Sequence, residues 1–77
     1  MAYFQKAKAL RTIKQWGRAI EAVEKAISLN ARISRYHYVR GLLYRRLGED
    51  EESRQSLATF QKLESEAVDL EKRRRRK

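Results

Sequence analysis

Apolar residues return every three or four positions in four stretches of the chain, the spacing of one face of a helix. The first stretch carries Tyr3, Ala7, Leu10 and Ile13. The second carries Ala19, Ile20, Val23, Ala26 and Ile27, with one more turn to Leu29. The third has Tyr36, Val39, Leu43 and Leu47 on one side, widened by Tyr38, Leu42 and Tyr44. The fourth has Leu57, Phe60, Leu63, Ala67 and Leu70. No stretch alternates with period two long enough to predict a strand, and proline is absent. The breaks are short: Gln15-Trp16-Gly17, Asn30-Ala31-Arg32 and Gly48-Glu49-Asp50. Loops of that length force consecutive helices to run antiparallel. The pattern predicts an all-α fold of four helices.

Helix ends are marked best around Gly48. A glycine there can close the third helix in the left-handed conformation. Glu49, Asp50, Glu51 and Glu52 follow, and their charge complements the exposed amides of the next helix's first turn. Gly41 lies inside the third stretch and needs another reason. Shifting the sequence by 34 residues supplies one: Ala7 falls on Gly41, Leu10 on Tyr44, Ile13 on Leu47, Ala19 on Ser53, Val23 on Leu57, Ala26 on Phe60 and Leu29 on Leu63. Small residues land on small ones, and large apolar residues mostly on large apolar ones.

A 34-residue period made of two helices resembles the tetratricopeptide repeat family. The second copy reads His37, Arg40-Gly41, Tyr44, Ser53, Leu57, and the first reads Tyr3, Lys6-Ala7, Leu10, Ala19, Val23, with Ala26 as a further small position. "WGRAIEAVEKAISLN" is a close match to the pattern. The resemblance implies that Gly41 and Ala7 are small because the two helices of a repeat press together there. It covers residues 1 to about 64, so the expected organisation is one helical hairpin over 1–33, a second over 34–64, and an extended or capping helix over 65–77. The chain departs from the family pattern where His37 replaces tryptophan, Arg40 and Lys6 replace leucine, Ala31 replaces proline and Phe60 replaces alanine. A bulky Phe60 would block an ordinary following repeat, which marks the second repeat as the last.

Two repeats leave apolar faces uncovered, since about three are usually needed for stability. Three arrangements would meet that need. The chain is the C-terminal piece of a longer repeat protein, or it self-associates, or its terminal helix folds back over the core.

Charge changes the picture of the partner. Net charge is +9, in blocks: residues 1–48 hold eleven Lys or Arg against two acids, residues 49–71 hold two against eight, and 72–77 read KRRRRK. A basic field of this kind favours anionic partners. Chemistry is sparse by comparison. His37 is the only histidine and cysteine is absent, so neither a Cys/His pair nor a multi-ligand metal site is expected. The acids Glu49 to Glu52 lack the loop of oxygen ligands that calcium requires. Three scattered glycines build no phosphate loop. The reading is a binding protein rather than an enzyme, with no cofactor. The first residues, MAYFQKAKALRTIK, are not a signal peptide, and no apolar stretch is long enough to span a bilayer. A cytoplasmic location is the expectation.

In the family the first helices of successive repeats line a groove that holds peptides or helices. The resemblance places groove positions at Phe4, Lys8 and Arg11 in the first helix, and at Arg35, Tyr38, Leu42, Arg45 and Arg46 in the third. Their three- and four-residue steps put each set on one helix face. Arginines among apolar side chains suit a protein segment with acidic and apolar residues. The lysine-asparagine clamp by which some members hold a C-terminal carboxylate is not reproduced. The tail, Lys72, Arg73, Arg74, Arg75, Arg76 and Lys77, offers a second route, to nucleic-acid phosphates or to an anionic lipid surface. It lacks the interleaved aromatics that favour base stacking. The alternative function is therefore a small basic helical protein that binds nucleic acid.

Overall fold

The computed structural model describes residues 2–75. Four helices follow one another: α1 (Tyr3–Thr12), α2 (Trp16–Leu29), α3 (Ser34–Arg46) and α4 (Asp50–Arg75). There is no strand among the described residues. Each helix packs chiefly on its neighbours in sequence, α1 on α2, α2 on α3, and α3 on α4. The result is a slab of 48 × 30 × 19 Å, because each hairpin meets only the next one.

The first and third loops are closed by one device. At the end of α3, the Glu49 N–H donates to the Tyr44 carbonyl (2.9 Å) and the Gly48 N–H to the Arg45 carbonyl (3.1 Å). Gly48 sits at φ 77, as a left-handed C′ residue should. At the end of α1, Gln15 donates to Leu10 (2.9 Å) and Lys14 to Arg11 (3.0 Å). Here the left-handed residue is Lys14, at φ 62. Lys14 and Gly48 are 34 residues apart, so the two turns are equivalent although only one has the glycine. This moves the first break. It was expected at Gln15-Trp16-Gly17, but Trp16 and Gly17 open α2 and the loop is 13–15.

The core joins Phe4, Ala7 and Leu10 of α1, Ala19, Ile20, Ala22, Val23 and Ala26 of α2, and Val39 and Leu43 of α3. Alanine supplies four of these ten residues, which lets the helix backbones come close. The tightest approach is at Gly41. A Cβ there would lie 2.8 Å from Leu57 Cγ and 3.3 Å from the Ser53 carbonyl oxygen. The Ser53 hydroxyl donates to the Gly41 carbonyl at 2.8 Å in the buried seam. Close packing of α3 on α4 is thus the reason for Gly41, as the repeat implies.

Several stripe residues are not buried. Ile13 (63% exposed), Leu29 (74%) and Leu47 (46%) lie at or just beyond helix ends, and Leu70 (57%) lies in the part of α4 past its contacts with the rest of the chain. Periodicity runs on there without a surface to cover it. In α1 the deepest aromatic is Phe4 rather than Tyr3, one step closer to the Ala7–Leu10 seam.

His37 and Arg40, two departures from the family pattern, form one polar unit. His37 is buried. Its Nε2–H donates to the Ala31 carbonyl (2.8 Å) and its Nδ1 accepts from Arg40 Nη2 (3.2 Å). Arg40 Nε donates to the buried Ser56 hydroxyl (3.0 Å), and Nη1 lies 4.0 Å from the Glu24 carboxylate. The pair thus ties α3 to α4 and to the first hairpin. Among the described residues no buried side-chain nitrogen or oxygen lacks a partner.

The terminal segment does not fold back. α4 continues without a break to Arg75. The Ser34 hydroxyl donates to Glu64 (2.7 Å) and Arg32 pairs with Glu66 (3.3 Å). Past those contacts Ala67, Val68 and Leu70 are exposed.

Candidate functional site

The ends of α1 and α3 and the start of α2 converge. Between them lies a cleft of about 510 Å3, lined by Arg11, Trp16, Leu42, Arg45 and Arg46. Trp16 and Leu42 are half-buried and form its apolar surface. The Arg46 guanidinium sits 5.7 Å from the centre of the Trp16 ring, within range of a cation–π contact. Arg45 and Arg46 are exposed and Arg11 is half-buried. No carboxylate lines the cleft. Three guanidinium groups around two apolar side chains therefore face solvent with their charge uncompensated by a neighbouring acid.

Of the eight groove positions implied by the repeat resemblance, Arg11, Leu42, Arg45 and Arg46 come together here. Lys8, Arg35 and Tyr38 lie outside the lining of this cleft. Lys8 is exposed, with its ammonium 5.6 Å from the Phe4 ring. Arg35 is exposed. Tyr38 keeps 42% of its surface but turns its ring to Phe60 on α4, centroids 5.1 Å apart. Phe4 corrects an expectation: it is only 8% exposed and packs on Tyr36 at 4.8 Å, so its ring belongs to the joint between the hairpins and is not offered to a partner. Trp16 is not among the groove positions the repeat resemblance implies, since the sequence pattern puts it in a break between helices, yet it lines the cleft. Its signal was available, since it is the only tryptophan and stands between two basic stretches. Lys72 and Arg73 are exposed on α4, whose backbone continues through Arg74 and Arg75. Arg76 and Lys77 lie outside the described residues.

His37 is committed to Ala31 and Arg40. No cluster of three metal-ligating side chains occurs among the described residues. One titration is displaced. Burial, with the Glu24 carboxylate adding to it, holds the Tyr44 phenol above its ordinary value of 10.0, while Arg40 opposes the shift.

The profile of the tetratricopeptide repeat matches residues 2–32 and again 34–66. The chain belongs to the tetratricopeptide repeat family. No curated protein and no solved structure matches it. Tetratricopeptide repeats are non-catalytic scaffolds that generally mediate protein–protein interaction, binding proteins or peptides. The α1–α2 and α3–α4 hairpins are its two tetratricopeptide repeats, and α4 runs past the second match by more than two turns. Among the described residues no helix is long and apolar enough to cross a membrane.

Proposed function

We propose that this tetratricopeptide protein captures a partner protein segment that carries carboxylates beside apolar side chains, using the cleft of Arg11, Trp16, Leu42, Arg45 and Arg46. The observation that carries this reading is the lining itself: three guanidinium groups, an indole and a leucine, with no acid among them. Arginine pairs with carboxylate in a two-pronged geometry, and its planar face tolerates stacking on an aromatic ring. Trp16 and Leu42 supply the apolar contact that a purely ionic surface would lack. Lys8 and Arg35 extend the basic field outward and act on the rate of encounter more than on the bound state. The hairpins 1–33 and 34–64 act as the frame of the site, with 65–77 as an extension beyond it.

The test uses Trp16, the single tryptophan, as its own reporter. An acidic amphipathic peptide should change Trp16 fluorescence, and the affinity should fall as salt rises. Arg45→Glu with Arg46→Glu should weaken binding at least tenfold while the helical circular dichroism stays the same. Arg35→Glu alone should change it far less. A single-stranded RNA titrated in parallel decides the rival reading. If RNA binds and the peptide does not, with the affinity lost on removal of residues 72–77, the protein is a nucleic-acid binder and the cleft has no part in it.

A further inference from the structure

His37 stands where the two hairpins meet, and both of its ring nitrogens are in use. The residue is 5% exposed. Its Nε2–H donates to the carbonyl of Ala31, in the loop that follows α2 (2.8 Å). Its Nδ1 faces Arg40 Nη2 at 3.2 Å. A guanidinium only donates, so Nδ1 has to accept, and an imidazole nitrogen accepts only in the neutral ring. No carboxylate is bonded to the ring to favour a second proton. On α3 the facing charge is Arg40 itself. From α2 comes Glu24, 4.0 Å from Arg40 Nη1, the nitrogen that does not touch the ring. From α4 comes Ser56, which does not titrate and accepts from Arg40 Nε (3.0 Å). Glu64 of α4 accepts from the Ser34 hydroxyl, and Arg32, beside Ala31, is paired with Glu66.

We propose that His37 is an acid-sensitive latch between the two repeats: a proton on Nδ1 releases Arg40 and loosens the joint. The added proton turns the acceptor into a donor aimed at another donor, and sets two cations side by side in a buried seam. Arg40 then leaves, and its bond to Ser56 and its approach to Glu24 go with it. Those contacts tie α3 to α4 and to the first hairpin. The neutral ring is bonded in the folded chain and the protonated ring is not. Stability from this source is therefore full above the ordinary imidazole range and is lost as pH falls through and below it. The movement reaches the basic cleft, because Arg11 and Trp16 come from the first hairpin and Leu42, Arg45 and Arg46 from the second. The Trp16–Arg46 contact spans the joint. Neither His37 nor a carboxylate lines that cleft, so Trp16 emission reports the hairpins and not the titrating ring.

His37 is the only histidine, which makes the test clean: carboxylates titrate near about 4 and the α-amino group at about 7.7–8. Thermal melting and Trp16 emission of the full chain are followed between about pH 7.5 and 5.5, alongside the His37 C2–H proton resonance. The wild-type midpoint should fall by about 4–8 °C over this range, the shift that losing one hydrogen bond gives a domain of this size. Trp16 emission should change with the same pH midpoint as the resonance. His37→Gln keeps one donor and one acceptor but cannot take the proton, so its melting and emission should stay flat across the range. A wild type that does not respond would overturn the proposal, as would an equal fall in His37→Gln. If that variant loses its helical circular dichroism, the wild type alone decides: stability and emission that do not track the His37 resonance would refute the latch.

Discussion

Lys14 and Gly48 hold the same backbone position in equivalent turns, and only the glycine adopts it without steric cost. A left-handed residue with a Cβ costs about 1–2 kcal/mol, part of which is offset by the greater freedom of glycine in the unfolded chain. Lys14→Gly should therefore stabilise the protein by about 0.5–1 kcal/mol, seen as a rise of a few degrees in the thermal midpoint. A fall would mean that the Lys14 side chain makes a contact worth more than the strain. Gly41 is the reverse case. Alanine is the better helix former by about 1 kcal/mol, but its Cβ would stand 2.8 Å from Leu57 Cγ. Overpacking costs about 1–3 kcal/mol, so Gly41→Ala should come out destabilising by about 1 kcal/mol in a denaturant titration.

Two polar residues make a sharper test, because His37 and Arg40 each satisfy the other. Arg40→Leu alone should strand His37 Nδ1 and Ser56, and His37→Trp alone should displace Arg40. Together the two changes should cost less than their sum, with a coupling above about 0.5 kcal/mol. Strict additivity would show that the hydrogen bond between them contributes nothing. Tyr44 gives a pH test on the same helix. Its phenol titrates above 10.0 in the folded chain, so the folded state keeps its proton longer than the unfolded state does. Stability from this source is full below the ordinary phenol range and is lost as pH rises through the raised value. Tyr44→Phe should flatten that alkaline limb of the stability curve.

Among the helices, what could be read in advance depended on what local chemistry announces. Four helices were legible because apolar spacing is a local property, and the end of α3 was legible because Gly48 and the acids after it mark it. The end of α1 was not, since Lys14 gives no such mark and the visible glycine nearby, Gly17, sits in an ordinary helical turn where an added Cβ would meet nothing within 4 Å. Only the equivalence of positions 14 and 48 could have found it. The joint between the hairpins was also hidden. Phe4 and Tyr3 share the same periodic signal, and which one is buried depends on where Tyr36 lies. The basic cleft was half legible: helical spacing placed Leu42, Arg45 and Arg46 on neighbouring faces of α3, whereas Trp16 reaches them from another helix.

Taken as a whole, the molecule is a row and not a ball, since α1 and α4 have one main neighbour each and α2 and α3 have two. Opening should then start from the ends. Amide hydrogen exchange should be slowest in α2 and α3, faster in α1, and fastest in α4 beyond Glu66. Uniform protection from α1 to the end of α4 would contradict this and show that the hairpins open as one block.

The uninterrupted α4 also limits how such a row could lengthen. Ala31 lies in a loop, so its carbonyl is free to accept the hydrogen bond from the His37 Nε2–H. The equivalent residue one period later is Ser65, which lies inside α4, where a carbonyl is already taken by the amide four residues on. A further unit built like the second would bring its histidine to a carbonyl that already accepts one hydrogen bond along the helix.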